Sequence, residues 1–129
     1  MKVYNACIVP ALLYGCESWT LQARHMSLLQ AVEMKYLRRV AGVTWMDRVR
    51  NEEVRERLGQ EAVTDMMWRR QSRWLEKLTE MDNGRLVKRV FEDEVEGKRP
   101  RGRPRKRWID NFQQTNACEQ LSVSNLIIP

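Results

Sequence analysis

The residues with the clearest chemical potential are seven cations that lie within ten positions, from Lys98 to Arg107. No carboxylate interrupts them, so this segment has a net charge of +7, whereas residues 1–97 have a net charge of +1 and residues 108–129 have −2. Lysine and arginine at this density pair with phosphates and release the counterions of a nucleic acid. The pattern predicts a nearly neutral body that contacts DNA or RNA through one basic arm. The predicted contact residues are Lys98, Arg99, Arg101, Gly102, Arg103, Arg105, Lys106 and Arg107.

The order of residues inside this arm adds a more specific expectation. Pro100 and Pro104 favour an extended backbone on either side of Arg101-Gly102-Arg103, and Gly102 has no side chain to keep the backbone off a groove floor. This arrangement resembles the AT-hook of high-mobility-group chromatin proteins. The resemblance implies that the two arginines enter a narrow A·T-rich minor groove. A solvated basic loop and a nuclear-import signal are the alternatives that this composition leaves open.

A second cationic group lies on a predicted helix. Four cations there form a possible accessory basic face that could extend an electrostatic track for nucleic acid, although a solvated helix face is the preferred interpretation. Trp108 follows the arm directly and either stacks on a base or anchors the arm to the body, and anchoring is favoured. The accessory residues are Arg69, Arg70, Arg73 and Lys77.

Residues suited to metal or catalytic chemistry are sparse. The three cysteines are scattered and His25 is the only histidine, so no zinc-binding spacing is present, and an odd cysteine count argues for a reducing compartment. Glu96-Gly97-Lys98, with Asp82 upstream, matches half of a nuclease metal site, but no strands are predicted there to hold it. We therefore expect no catalytic residue, no metal and no cofactor.

Apolar periodicity predicts an all-α fold of four to five short helices, with an extended or disordered basic arm and a C-terminal tail. The helix over 21–40 is expected to bury Leu28, Leu29, Val32, Tyr36, Leu37 and Val40. The strongest helix, 62–82, is expected to bury Val63, Met67, Trp74, Leu78 and Met81, with Trp68 and Leu75 beside them. Shorter helices are predicted over 3–13, bent at Pro10, over 52–58, capped by Asn51, over 85–95 and over 108–114, and Gly15, Gly42 and Gly59 are predicted helix stops.

These elements divide the chain into three predicted parts: a helical region over 1–95, the arm over 96–107, and a short helix with an irregular tail over 108–129. The chain has no apolar run of membrane-spanning length and no signal peptide is recognised. The expected location is nuclear or cytoplasmic and not secreted.

An ordered set of sequence blocks resembles the region that follows the polymerase core in reverse transcriptases of non-LTR (LINE-type) retrotransposons. The similarity covers residues 2–112 and begins with Leu12-Leu13-Tyr14-Gly15-Cys16-Glu17-Ser18-Trp19-Thr20. Later blocks are Tyr36–Arg39, Trp45–Val49, Asn51–Val54, Arg73–Leu75, Met81-Asp82, Arg85-Leu86 and Gly97–Asp110. The resemblance implies a position beside the polymerase thumb, a role in holding RNA template or target DNA, and the polymerase part of a related retroelement protein as a partner.

Departures from this family limit what the resemblance implies. The aromatic-x-Asp-Asp block that holds the polymerase metal ions is absent, and Glu76-Lys77 stand where relatives commonly have Gly-His. Residues 113–129 do not resemble the family. The expectation is a non-catalytic nucleic-acid-binding remnant of a reverse transcriptase polyprotein. A helical protein-interaction module with a nuclear-localisation arm, and an expressed fragment without function, are the alternatives.

Overall fold

The computed structural model describes residues 1–92, 101–102 and 105–113, and in these ranges the chain forms α-helices and no strand. The all-α prediction is therefore confirmed. A π-helical turn over Tyr4–Ile8 precedes α1 (Val9–Leu12), and α2 (Ala23–Ala41), α3 (Asn51–Leu58), α4 (Val63–Glu80), α5 (Leu86–Glu92) and α6 (Asp110–Gln113) follow. Short 3-10 helices cover Cys16–Ser18 and Trp45–Asp47. The predicted tail over 115–129 and the last residues of the predicted helices over 85–95 and 108–114 lie outside the described residues.

Pro10 explains the change of helix type near the N-terminus. It occupies the first turn of α1 and lacks the N–H that would continue a regular ladder. The preceding turn is widened, and the Val9 N–H donates to the Tyr4 carbonyl, five residues back. Helix α1 ends at Leu12, before the predicted stop at Gly15. Gly15, with a φ of 67° in the left-handed region, instead begins the 3-10 helix over Cys16–Ser18.

Helix α2 has the predicted position but not the predicted buried face. It ends at Gly42, where the Val43 N–H donates to the Arg38 carbonyl in a Schellman-type closure. The fully buried residues of α2 are Glu33, Met34 and Leu37. Four of the six residues predicted to be core are exposed instead: Leu28, Val32, Tyr36 and Val40. That part of the prediction was wrong.

The buried carboxylate of Glu33 explains why α2 is rotated about its axis relative to the orientation predicted from its apolar residues. One oxygen, Oε2, accepts a hydrogen bond from Arg55 of α3 at 2.8 Å, and the other, Oε1, accepts from the backbone N–H of Val63 at 3.1 Å. Val63 is the first residue of α4, so a side chain of α2 satisfies an otherwise unpaired donor at the start of another helix. A buried charge needs such partners, and it therefore points α2 toward α3 and α4.

Helix α4 crosses this core and buries Val63, Thr64, Met67, Gln71, Leu75 and Leu78. Trp74 and Trp68, which the sequence places with the core, are half-buried at the edges of this face, and Met81 is also half-buried. The face is therefore centred nearer Gln71 than the apolar pattern predicts. Asn51 does not cap α3 either, because its Oδ1 accepts from Arg38 at 2.9 Å.

Candidate nucleic-acid interface

Part of the basic arm falls in the described residues. Arg101 and Gly102 are exposed. Gly102 has a φ of 118°, a backbone angle that residues other than glycine rarely adopt. A Cβ at Gly102 would meet no other heavy atom within 4 Å. In the free protein, glycine is therefore favoured at this position by the backbone angle and not by lack of space for a side chain. Lys98, Arg99 and Arg103, predicted contact residues, lie outside the described part of the chain.

The three cations at the end of the arm alternate between solvent and body. Arg105 and Arg107 are exposed, whereas the Lys106 ammonium donates to the Leu21 carbonyl at 2.8 Å. The sequence placed Lys106 with the phosphate contacts, but the structure gives its ammonium a protein acceptor.

Trp108 fixes the next turn of the chain against the body. Its indole N–H donates to the Glu17 carbonyl at 2.7 Å. Its ring meets Phe112 edge to face, with centroids 5.0 Å apart, and Phe91 at 6.0 Å. Phe112 in turn meets Trp68 of α4. We call these four residues the aromatic anchor, and they show the anchoring arrangement that the sequence favoured for Trp108.

Two polar residues next to the aromatic anchor complete the attachment. The Asn111 side chain accepts from the Leu21 N–H at 3.1 Å and donates to the Trp19 carbonyl at 2.8 Å. Asp110, the first residue of α6, turns its carboxylate back to accept from the Arg107 N–H at 2.7 Å, which closes the turn that precedes the helix. Residues 106–111 are therefore held by hydrogen bonds as well as by ring contacts.

The hydrogen bonds of Lys106, Trp108 and Asn111 to the body converge on residues 13–21, which we call the 13–21 loop. Gln71 of α4 donates to the Cys16 carbonyl at 2.7 Å and to the Trp19 carbonyl at 3.0 Å, and Arg70 donates to the Leu13 carbonyl at 3.3 Å. Because a buried carbonyl without a donor is costly, these side chains stabilise a loop whose own backbone hydrogen bonds, within a short 3-10 helix, satisfy only part of its polar groups.

Sequence reasoning missed Gln71 and Asn111. Gln71 had a signal: it is a polar residue at the centre of an apolar stripe, between Met67 and Leu75, which is the position of a side chain that bonds to backbone. No sequence signal pointed to Asn111, because it lies in a short polar segment and its partners, Trp19 and Leu21, are far away in the sequence.

The accessory basic face is only partly available to a ligand. Arg69 forms an ion pair with Glu61, and Arg70 is half-buried and bonded to the 13–21 loop. Arg73 and Lys77 are exposed, and among the described residues neither has an ion pair or a side-chain hydrogen bond. Two of the four predicted side chains thus remain as candidates for phosphate contact.

Where the structure describes the chain, nucleophilic and metal-binding side chains lie apart from one another. Burial raises the pKa of the Cys16 thiol, which makes it a poorer nucleophile at neutral pH. The described ranges contain no group of three histidine, cysteine, aspartate or glutamate side chains placed to hold a metal ion. They also contain no helix long and apolar enough to cross a bilayer.

Comparisons with known proteins leave the chain without an assigned family. No protein-family model, curated protein or solved structure matches it.

Proposed function

We propose that this chain binds nucleic acid through the basic arm and performs no catalysis, and that it derives from the post-polymerase region of a non-LTR retrotransposon reverse transcriptase. One observation carries the binding proposal: the arm emerges from a fixed base with alternating cations. Lys106 is bonded to the body at Leu21, and its neighbours Arg105 and Arg107 face solvent. A charged segment that is anchored at one end loses less freedom when it binds.

The distribution of charge supports phosphate as the ligand. The arm has a net charge of +7, on a body that is nearly neutral. Arg101 and Arg105 are exposed, and neither has an ion pair to a described carboxylate. Cations held in water without partners are available to replace the counterions of a polyphosphate.

The proposed kinship rests on the sequence blocks. Two of those blocks, 12–20 and 97–110, contribute residues that bond to each other, as in the contact of Trp108 with the Glu17 carbonyl. A shared structural role would give both blocks a reason to be kept together and in order.

A salt titration of the full chain against A·T-rich duplex, G·C-rich duplex and structured RNA tests the binding proposal. Lys106 is bonded to the body and Arg107 pairs with Asp110 at 3.7 Å. If the five other cations of the arm, or six with Arg107, neutralise phosphates, the slope of log K against log salt on duplex DNA is expected to be about −5. A slope near zero, or no binding at low salt, would contradict the proposal.

Arg105→Ala and Lys106→Ala form a matched pair of neighbouring cations. Arg105→Ala should weaken binding to every sequence and make the slope shallower by about one. Lys106→Ala should change the slope less and lower the melting temperature more, since its ammonium holds the Leu21 carbonyl. Equal slopes and equal stabilities for the two variants would refute the alternation as the basis of binding.

Arg103→Ala separates groove insertion from simple cation pairing. If Arg103 enters a minor groove, its loss should weaken A·T-rich binding by about 1–3 kcal/mol and G·C-rich binding much less. Gly102→Val should give the same selective loss, because a branched side chain holds the backbone off the groove floor. Equal losses on both duplexes would reduce the arm to a non-selective cationic segment, and no loss would place the binding site elsewhere.

The non-catalytic part of the proposal has its own assay. Purified chain with Mg²⁺ or Mn²⁺, primer and template should extend no primer and cut no strand. Activity that copurifies with the chain through several orthogonal columns would overturn it.

A helical interaction module is the second candidate, and the exposed apolar side chains of α2 favour it. In that case the arm would act as a localisation signal. Partner binding that is insensitive to salt, in a chain with no affinity for DNA or RNA, would support this candidate over the first.

A further inference from the structure

Helix α2 exposes a continuous apolar row to solvent. Leu28, Val32, Tyr36 and Val40 recur at every fourth position, and Leu28 and Val40 are 59% and 52% exposed. Residues four apart stack along one side of a helix, so this row, the α2 ridge, extends over about 18 Å. Monomeric proteins seldom leave an apolar patch of this kind uncovered unless it binds something.

A groove adjoins the N-terminal half of the α2 ridge. It has a volume of about 540 Å³, and its walls include Trp19, Leu21 and Leu29 as well as two ridge residues, Leu28 and Val32. Volumes in this range accept large side chains of a ligand. The ridge and the groove together form one apolar surface with a recess at one end.

The charges beside the ridge restrict what can cover it. Arg24, Lys35 and Arg39 are exposed on α2, and none has an ion pair or side-chain hydrogen bond to a described residue. Glu33, the only carboxylate of α2, is buried against Arg55. Lys35 and Arg39 lie along one side of the ridge, and Arg24, four positions before Leu28, continues the row at its N-terminal end. The exposed charged side chains of α2 are therefore all cationic.

We propose that the α2 ridge binds an amphipathic helix of another protein, whose apolar stripe is bordered by glutamate or aspartate. The apolar stripe would cover the ridge, and one large side chain would enter the groove. The carboxylates would face Arg24, Lys35 and Arg39. A second copy of this chain fits poorly, because a two-fold contact would bring the same cations together. Nucleic acid fits poorly as well, because Leu28, Val32 and Val40 offer nothing to phosphates.

A synthetic amphipathic peptide of about 18 residues, with leucine at helical spacing and glutamate on its borders, is a suitable probe. Two control peptides are needed: one with lysine in place of every glutamate, and one that keeps the glutamate composition but scrambles the leucine stripe. Each is titrated into the full chain by fluorescence anisotropy. We expect the glutamate peptide to bind at least about tenfold more tightly than either control.

Variants of the chain locate the binding surface. Leu28→Asp and Val32→Asp should each weaken the glutamate peptide about tenfold or more, and Lys35→Glu with Arg39→Glu should reverse the preference toward the lysine peptide. The more conservative Leu28→Ala and Val32→Ala serve if an aspartate variant fails to fold. An arm variant in which Arg101, Arg103 and Arg105 are serine should bind the glutamate peptide as the parent does.

Four results would overturn the proposal. The first is that the scrambled peptide binds as tightly as the glutamate peptide, or that the arm variant no longer binds the glutamate peptide. Either result would mean that the peptide is held only by charge attraction to the arm. The second is a dimer in sedimentation that Leu28→Asp abolishes, which would make a second copy the occupant. The third is that charge reversal at Lys35 and Arg39 lowers the affinity for DNA but not the affinity for the glutamate peptide. The fourth is a melting temperature lowered by Leu28→Asp as much as by Leu37→Ala, which would mean that the chain itself covers the ridge.

Discussion

Helices α2 and α4 each place one polar side chain at the centre of the face that they bury, Glu33 in α2 and Gln71 in α4. Both side chains are fully buried. Glu33 is ionic, accepts from Arg55 and holds the start of α4, whereas Gln71 is neutral and donates to two carbonyls of the 13–21 loop. The outer faces also differ, because α2 exposes an apolar ridge and α4 exposes charges. A buried polar group that needs partners can therefore set a helix's rotation against its apolar pattern.

Glu33→Ala should be the most damaging of the substitutions that probe this comparison. It leaves Arg55 and the Val63 N–H without their acceptor, and breaking a buried pair of this kind costs about 3–5 kcal/mol. Chemical denaturation of both proteins measures the difference. The control is Glu53→Ala, which removes an exposed i,i+4 pair with Arg57 and should cost about 0.5 kcal/mol or less. Similar losses for the two variants would mean that Glu33 does not orient α2.

Gln71→Met should have an intermediate effect. Methionine has a similar length, so the change removes the hydrogen bonds to Cys16 and Trp19 with little loss of volume and should cost about 1–3 kcal/mol. Gln30→Met, on the exposed side of α2, is the matched control and should change stability by less than about 0.5 kcal/mol. A neutral Gln71→Met would show that the 13–21 loop does not depend on the Gln71 hydrogen bonds for its stability.

Leu28→Ala distinguishes the exposed ridge from a core stripe. Since Leu28 is mostly exposed, we expect a loss below about 1 kcal/mol, against about 2–5 kcal/mol for Leu37→Ala in the same helix. Thermal melts of the two variants test the assignment of faces directly. If the order is reversed, the face predicted from periodicity is the buried one after all.

Tyr4→Phe is expected to have the smallest effect at neutral pH. The Tyr4 hydroxyl is buried near Glu33 and has no hydrogen-bond partner among the described residues, so its removal should be neutral or slightly stabilising. Burial, and then the charge of Glu33, raises the pKa of Tyr4 to about 12 from 10.0. Folding therefore favours the protonated form of the Tyr4 hydroxyl. The stability linked to this protonation is complete below pH 10, the pKa in the unfolded chain, and is lost as the pH rises through about 12, the pKa in the folded protein. Denaturation of both proteins between these pH values should show the steeper decline in the parent.

The fold class, most helix bounds and the helix stops at Gly42 and Gly59 could be predicted from the sequence, because they depend on local periodicity and on glycine. The buried face of α2 could not be predicted, because it depends on Arg55 and Val63, which periodicity within α2 does not reveal. The arm could be identified from its charge alone. The inward contact of Lys106 could not, because the Leu21 carbonyl that it binds is 85 residues away.

The attachment of residues 106–111 to the 13–21 loop also has a consequence for the order of folding. Its hydrogen bonds join positions 85 to 92 residues apart, and contacts of such separation slow the search for the native state. During synthesis the 13–21 loop leaves the ribosome long before Lys106, Trp108 and Asn111 exist. The 13–21 loop is therefore completed by residues that are made about 90 positions later. While α2, α3 and α4 assemble, the Glu17 and Leu21 carbonyls that later accept from Trp108 and Lys106 are still hydrated.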